Sequence, residues 1–200
     1  MGTLLLGTRN PGKLGEITSI LHDCGWSFSS LREFPNVDTA EENAETYAEN
    51  AIAKARFYAM ATGLCALADD SGLEVAALGR APGVFSARYA GENASDADRR
   101  ELLLAELAKT SARDRRARFV SVVAIATADG KVLNVSEGTC NGTITLAPRG
   151  DGGFGYDHIF IPDGYSQTFA ELPDSLKNII SHRALALINT KKFLKSCSSC

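Results

Sequence analysis

Thr3-Leu4-Leu5-Leu6-Gly7-Thr8-Arg9-Asn10-Pro11-Gly12-Lys13-Leu14-Gly15-Glu16-Ile17-Thr18-Ser19-Ile20-Leu21-His22-Asp23-Cys24-Gly25 is the stretch that decides the fold. Thr3 to Gly7 is a short apolar run and reads as a strand, bounded by the turn residues of the next six positions. Lys13 to Asp23 follows a helical period, with Leu14, Ile17 and Leu21 on one face and Gly25 as the stop. Trp26 to Leu31 reads as a second strand. Strand, loop, helix, strand is the opening of an α/β unit.

The rest of the chain continues in that style. Glu45 to Thr62 is an Ala-rich helix ended by Gly63. Leu64 to Ala68 is a short apolar run that ends on Asp69-Asp70-Ser71-Gly72, so the two acids are expected where a strand meets a turn. Leu73 to Leu78 reads as a further strand and Gly79 to Gly91 as a loop. Ser95 is placed to cap a helix over Ala97–Ala108. Ala117–Ala128 and Lys131–Glu137 read as strands joined at Asp129-Gly130, and Thr139–Leu146 as one more. Ser181 is expected to cap a last helix running to about Leu194. With no repeat, linker or low-complexity segment, the expectation is one α/β domain over residues 1–195 with a long mixed sheet, followed by a flexible tail at 196–200.

Composition excludes several function classes. A formal net charge of −3 is too acidic for nucleic-acid binding through a broad basic face. The basic run Arg113–Arg118 has no interleaved aromatics and reads as a solvated surface. No segment is long and apolar enough for a signal core or a membrane span, so a cytoplasmic, membrane-independent protein is expected. Cys24, Cys65 and Cys140 read as buried free thiols, and Cys197-Ser198-Ser199-Cys200 lacks a second ligand pair for a metal. There is no Gly-x-Ser-x-Gly and no His-Glu-x-x-His, which disfavours serine-triad and zinc hydrolases.

Four groups of residues carry chemistry. Thr8, Asn10 and Lys13 offer a hydroxyl, an amide and an ammonium at a strand–helix junction, beside the partial positive charge of the helix start. An anion site and an ordinary turn with a solvated lysine both fit that loop alone. Glu41-Glu42 and Asp69-Asp70 supply the carboxylate oxygens that a hard cation such as Mg²⁺ takes, or alternatively a favourable helix start and a polar turn. Gly153-Phe154-Gly155-Tyr156-Asp157 sets aromatics among glycines, suited to stacking on a base or to core packing beside a turn. Lys177-Asn178-Ile179-Ile180-Ser181-His182-Arg183 brings cations to a helix start, where they oppose its dipole.

Taken together, these segments resemble the inosine triphosphate pyrophosphatase (Ham1) family. The resemblance runs from Thr8 to about Leu187 through Thr8-x-Asn10-x-x-Lys13, Glu41-Glu42 with Thr46-Tyr47-x-Glu49-Asn50-Ala51-x-x-Lys54-Ala55, Ala68-Asp69-Asp70-Ser71-Gly72-Leu73, Pro82-Gly83-Val84-x-Ser86-Ala87-Arg88-Tyr89, Gly152–Asp157, and Lys177-Asn178-x-x-Ser181-His182-Arg183. One departure is His158, where the family usually has a proline after the aspartate. The resemblance implies an elongated two-lobed α/β fold, with a long central mixed sheet flanked by helices and a nucleotide cleft between the lobes. It also implies a homodimer, Mg²⁺ dependence, and hydrolysis of ITP, dITP and XTP to the monophosphate and pyrophosphate. Residue by residue, Thr8, Arg9, Asn10, Pro11, Gly12 and Lys13 look like the triphosphate loop. Asp70 looks like the proton acceptor and a metal ligand, Glu41 like a second metal ligand, and Ser71 like a substrate contact. Phe154, Gly155, Tyr156, Asp157, Lys177, His182 and Arg183 look like the nucleotide pocket. The competing readings are a related pyrophosphatase for other modified nucleotides and a nucleotide-binding module without turnover.

Overall fold

A computed structural model describes residues 2–110 and 113–197. Six strands form one sheet in the order β2-β1-β3-β4-β5-β6. They are β1 (Thr3–Leu6), β2 (Ser27–Ser30), β3 (Cys65–Val75), β4 (Arg116–Ala126), β5 (Val132–Ile144) and β6 (Phe160–Pro162). The sheet is mixed: β1 runs parallel to both β2 and β3, with Leu5 opposite Ser29 and Ala66, whereas β5 and β6 are antiparallel. The helices are α1 (Pro11–Leu21), α2 (Tyr47–Thr62), α3 (Asp96–Lys109), α4 (Asp174–Ile180) and α5 (His182–Ser196). Among the described residues no helix is long and apolar enough to cross a membrane.

Two strands are longer than the sequence suggests. The expected turn at Asp69–Gly72 is instead the middle of β3, which runs unbroken from Cys65 to Val75. Likewise the two expected strands flanking Gly138 are one strand, β5. In both cases polar and small residues imitate a turn, while membership of the six-stranded sheet keeps the chain extended. The hairpin at Asp129-Gly130 forms as expected: the Thr127 and Gly130 amides donate to Lys131 and Thr127 carbonyls, and Gly130 has a φ of 82°.

The chain packs as two compact units. One holds residues up to Asp70, Ser121–Gly138 and the chain from Arg183 onward; the other holds Ser71–Val120 and Thr139–His182. Because β3, β4 and β5 each give residues to both, neither unit is a contiguous stretch, and no linker shows in the sequence. In the first unit, Leu4, Leu6, Ile17, Leu21, Leu67 and Ile125 form the core with Leu187 and Leu194 of α5. In the second, Phe119, Phe160 and Phe169 pack with Leu73, Val75, Leu103 and Leu107.

Of the cysteines, Cys24 and Cys140 are buried free thiols as expected. Cys65 departs from that expectation and is disulfide-bonded. α5 extends to Ser196, and Cys197 packs half-buried against the first unit's core. The remainder of the expected tail, Ser198 to Cys200, lies outside the described residues.

Candidate active site

The first unit carries a buried network of opposite charges. It starts at the loop between β1 and α1. Gly7 opens that loop because no side chain fits there: a Cβ would lie 2.8 Å from the Tyr58 ring and 3.0 Å from the Leu67 carbonyl oxygen. Thr8 Oγ1 accepts from the Asn10 amide, and Asn10 Oδ1 caps α1 by accepting from the Lys13 amide at 3.1 Å. Pro11 stands at the first helical position, where its missing N–H costs nothing. Arg9 points away and donates to the Val37 carbonyl at 2.6 Å. Lys13 Nζ reaches Asp69 Oδ2 at 3.0 Å.

Asp69 and Asp70 are adjacent in an extended strand, so their side chains leave on opposite faces. This removes the repulsion that their adjacency suggests in the sequence. Asp69 is matched on its face by Lys13 and by Arg183, whose Nε lies 3.2 Å from Oδ2. Arg183 is buried and its other arm pairs with Glu16. Burial alone would raise Asp69, but Lys13, Arg183 and Lys54 overcome it and hold the carboxyl well below the usual range. Its Oδ1 is nevertheless buried without a hydrogen-bond partner among the described residues. Asp70 faces other groups: Asn50 Nδ2 donates to its Oδ2 at 3.0 Å. Burial pushes Asp70 up; Lys54 opposes this and Glu42 adds to it. The result is a carboxylate that gains from a nearby cation or proton.

α2 supplies the polar groups behind Asp70. Tyr47, Asn50, Ala51, Lys54, Ala55, Tyr58 and Ala59 are its buried face, in helical spacing. Asn50 also bonds both the amide and the carbonyl of Ala44, which ties the acidic loop to the strand. Lys54 Nζ donates to the Asp69 carbonyl at 2.7 Å and to Glu42 at 2.6 Å. Of the acid pair, Glu42 is thus engaged by a lysine, while Glu41 is exposed and accepts from the Asn43 side-chain amide. Asn50, Lys54 and Glu16 carry no role in the sequence reading, and Glu42 only that of a candidate cation ligand beside Glu41. The available signal was two polar residues four apart beside the alanine stripe of a helix.

No three His, Cys, Asp or Glu side chains among the described residues form a ready metal cage. Two carboxylates are enough for Mg²⁺, which completes its shell with waters and phosphate oxygens. On its own face of β3, the buried Asp70 carboxylate, pushed up by burial and bonded by the Asn50 side-chain amide, fits a divalent cation close by.

The second unit holds the aromatic loop. Ser71 is its first residue and is half-buried. Phe154 and Gly155 are half-buried, and Tyr156 and Asp157 are buried. Asp157 Oδ2 accepts from the Phe154 amide at 2.9 Å and from Lys177 Nζ at 2.5 Å. Gly153 must be glycine, since its φ is +69° and a Cβ would sit 2.4 Å from that same Oδ2. Lys177 lies 4.8 Å over the Phe154 ring and 5.8 Å from the Phe169 ring. Tyr156 Oη donates to the Ser86 carbonyl, and the Ser86 hydroxyl accepts from the Leu73 amide. His182 stacks on Phe119 with centroids 4.5 Å apart.

The expected pocket is therefore distributed. Phe154–Asp157, Lys177 and His182 belong to the second unit, whereas Arg183 belongs to the first and binds Asp69. Lys177 is not at a helix start but in the middle of α4; Ser181 separates α4 from α5.

Comparison with known proteins matches this arrangement. A family model described as the Ham1 family covers residues 4–193. A dITP/XTP pyrophosphatase of Desulforamulus reducens is 47% identical over 96% of this chain and 94% of its own length. The protein of the same name from Geobacter sulfurreducens is 46% identical over 97% of both chains. The structure of a HAM1 protein from Coxiella burnetii superposes with a TM-score of 0.90 at 44% identity, covering 98% of this chain and 100% of that one.

Proposed function

This chain belongs to the Ham1 family, and from that premise we propose that it is a nucleoside-triphosphate pyrophosphatase. It hydrolyses the non-canonical purine nucleotides ITP, dITP and XTP to the monophosphate and pyrophosphate. The observation that carries the reading is the convergence of Lys13, Arg183 and Lys54 on the Asp69-Asp70 segment at the helix α1 start. A polyanion and its counter-cation belong in such a place.

The reaction is attack of water at the α-phosphorus with pyrophosphate leaving. Thr8 to Lys13 receive the triphosphate at the N-terminus of α1, where Lys13 and the helix dipole offset its charge. Lys13 is suited to this because burial disfavours its charged form and Asp69 alone does not compensate. Asp70, raised by burial, takes the proton from the attacking water. Asp70 and Glu41, whose carboxylate accepts from the Asn43 side-chain amide, would hold Mg²⁺, which when bound would supply Lewis-acid charge neutralisation at the phosphates. Ser71 contacts the substrate from the residue that follows Asp70. The Phe154 ring stacks on the base, and Lys177 and His182 donate to the 6-keto edge of hypoxanthine or xanthine. Adenine presents an amino group there and leaves those donors unpaired, a difference that supports discrimination of about 10⁴. A homodimer in the cytoplasm is part of this proposal, and light scattering on the eluted protein measures its mass directly.

The test is a panel of ITP, XTP, dITP, GTP and ATP with Mg²⁺ and product identification. Pyrophosphate is expected, fastest from the first three, and Asp70→Asn is expected to lose about 10²–10⁴ in rate. Orthophosphate as the product would overturn the reaction assignment. Near-normal turnover in Asp70→Asn would overturn the role of that residue.

A further inference from the structure

The loop that carries Phe154 is rich in glycine: Gly150, Gly152, Gly153 and Gly155 fall within six residues. Such a loop has much backbone freedom to lose, and ordering it at the moment of binding would cost affinity. The structure shows how that freedom is removed beforehand. The Gly155 amide donates to Asp96 Oδ2 at 2.7 Å. The Gly155 carbonyl accepts from Arg100 Nη1, also at 2.7 Å. These two backbone groups belong to different peptide planes, one on each side of the Gly155 Cα. Holding both fixes the two dihedral angles between them, including a left-handed φ of 58°.

Both partners come from one rigid element. Asp96 is the first residue of α3 and Arg100 stands four residues on, so they lie one above the other on the same helix face. The helix start is itself secured, since Ser95 and Asp98 form a reciprocal capping box. Arg99 steadies the acid: its Nη1 donates to Asp96 Oδ1 at 2.6 Å and its Nη2 to the Ala94 carbonyl at 2.6 Å. All of these residues lie in the second unit. No motif of the sequence reading assigns a role to Asp96 or Arg100.

We propose that Asp96 and Arg100 are positioning residues for base recognition: as a clamp on both sides of Gly155 they preset the Phe154 ring and the Asp157 carboxylate before a nucleotide arrives. This rests on reading Phe154–Asp157 as the base-binding loop. The clamp touches no reacting atom, so its loss affects recognition and leaves the chemical step intact. It therefore acts on KM and base preference, not on kcat.

The experiment has two arms on the full-length protein. In the first, amide hydrogen exchange is followed by NMR without any nucleotide. Asp96→Ala is expected to speed exchange at Gly155 by about 10-fold or more, and Asp96→Asn, which keeps an acceptor, to restore most of the protection. In the second, Arg100→Ala is expected to raise KM for ITP about 10-fold with kcat within twofold, to narrow the ITP-to-ATP ratio, and to be rescued in part by Arg100→Lys. Unchanged exchange at Gly155 in Asp96→Ala would overturn the clamp. An Arg100→Ala enzyme with unchanged KM and preference, or with kcat lowered equally for every nucleotide, would overturn its role in recognition. Should Asp96→Ala not fold, Gly155 exchange in Arg100→Ala decides the first arm. If the unmodified protein releases no pyrophosphate from ITP, the proposed function fails, and the exchange arm still decides the clamp.

Discussion

Lys177→Met is the substitution that separates the two jobs a buried lysine can hold. Lys177 and Asp157 have side chains only 3% and 5% exposed, with the ammonium 2.5 Å from Oδ2. Methionine keeps the length and an apolar contact with the Phe154 and Phe169 rings, so the substitution removes charge and little packing. What remains is a buried carboxylate held by the Phe154 amide with its cation gone. Breaking a buried pair from one side costs about 3–5 kcal/mol, because the surviving charge stays desolvated. At about 2–4 °C per kcal/mol for a chain of this size, the melting temperature should fall by roughly 10 °C. The double variant Asp157→Asn/Lys177→Met removes both charges and should recover more than half of that loss, with a coupling energy of about 1.5–3 kcal/mol. The assay is thermal unfolding by circular dichroism on the four members of the cycle, without nucleotide. A fall of less than about 3 °C in Lys177→Met, or purely additive single effects, would refute the structural share of this pair. Lys177 would then serve only the ligand.

Two further outcomes follow from the geometry. Gly153→Ala forces a left-handed φ on a residue with a Cβ and drives that Cβ against Asp157 Oδ2. A loss of about 1–3 kcal/mol and a KM for ITP raised at least 10-fold are expected, read from urea unfolding and initial rates; wild-type values in both would contradict the contact. Cys140 bears on the alkaline side of the stability profile. Burial, assisted by Asp163, pushes its thiol up to about 12. A native acid raised in this way lends stability that is whole below the unfolded thiol's ordinary value and is lost as pH rises toward 12, at up to about 1.4 kcal/mol per pH unit. Tyr156 is raised in the same direction by its burial. Cys140→Ala should therefore flatten part of the decline in melting temperature above about pH 9, and an unchanged slope would show that the thiol does not contribute.

How much could be read from the sequence depends on how far each signal reaches along the chain. The β1–α1 loop was legible because strand, cap and helix lie within about twenty consecutive residues, each with its own local signature. The span of α2 and its stop at Gly63 were legible for the same reason. Asp69-Asp70-Ser71-Gly72 was misread as a turn because its strand character comes from elsewhere. The partners that make two buried acids tolerable are Arg183, 114 residues away, and Asn50, 20 residues away. Composition alone sees only adjacent like charges. Arg183 shows the converse. Next to His182 it looked like part of one cationic cluster, yet neighbouring residues at the start of α5 serve different units. The resemblance supplied the list of site residues and included Asn50 and Lys54 in a motif without a role, while the roles of these two and of Glu16, Asp96 and Arg100 emerge only from geometry.

The charge network in the first unit is itself an argument for function. Its charged side chains include Lys13, Lys54, Asp69 and Arg183, each with a side chain less than a fifth exposed. A chain selected only to fold gains little from such an arrangement: buried ion pairs seldom repay their desolvation, and well-packed apolar residues of similar volume often stabilise more. Three cations converge here, one of them shifted toward neutrality, while an Asp69 oxygen stands without a hydrogen bond among the described residues. Folding explains the pairs that are closed, such as Arg183 with Glu16. It does not explain those left incomplete. On the proposed function, a phosphate chain would bring Lys13 the negative charge that Asp69 alone does not supply against its burial. The same deficit would make such a site receptive to a polyanion.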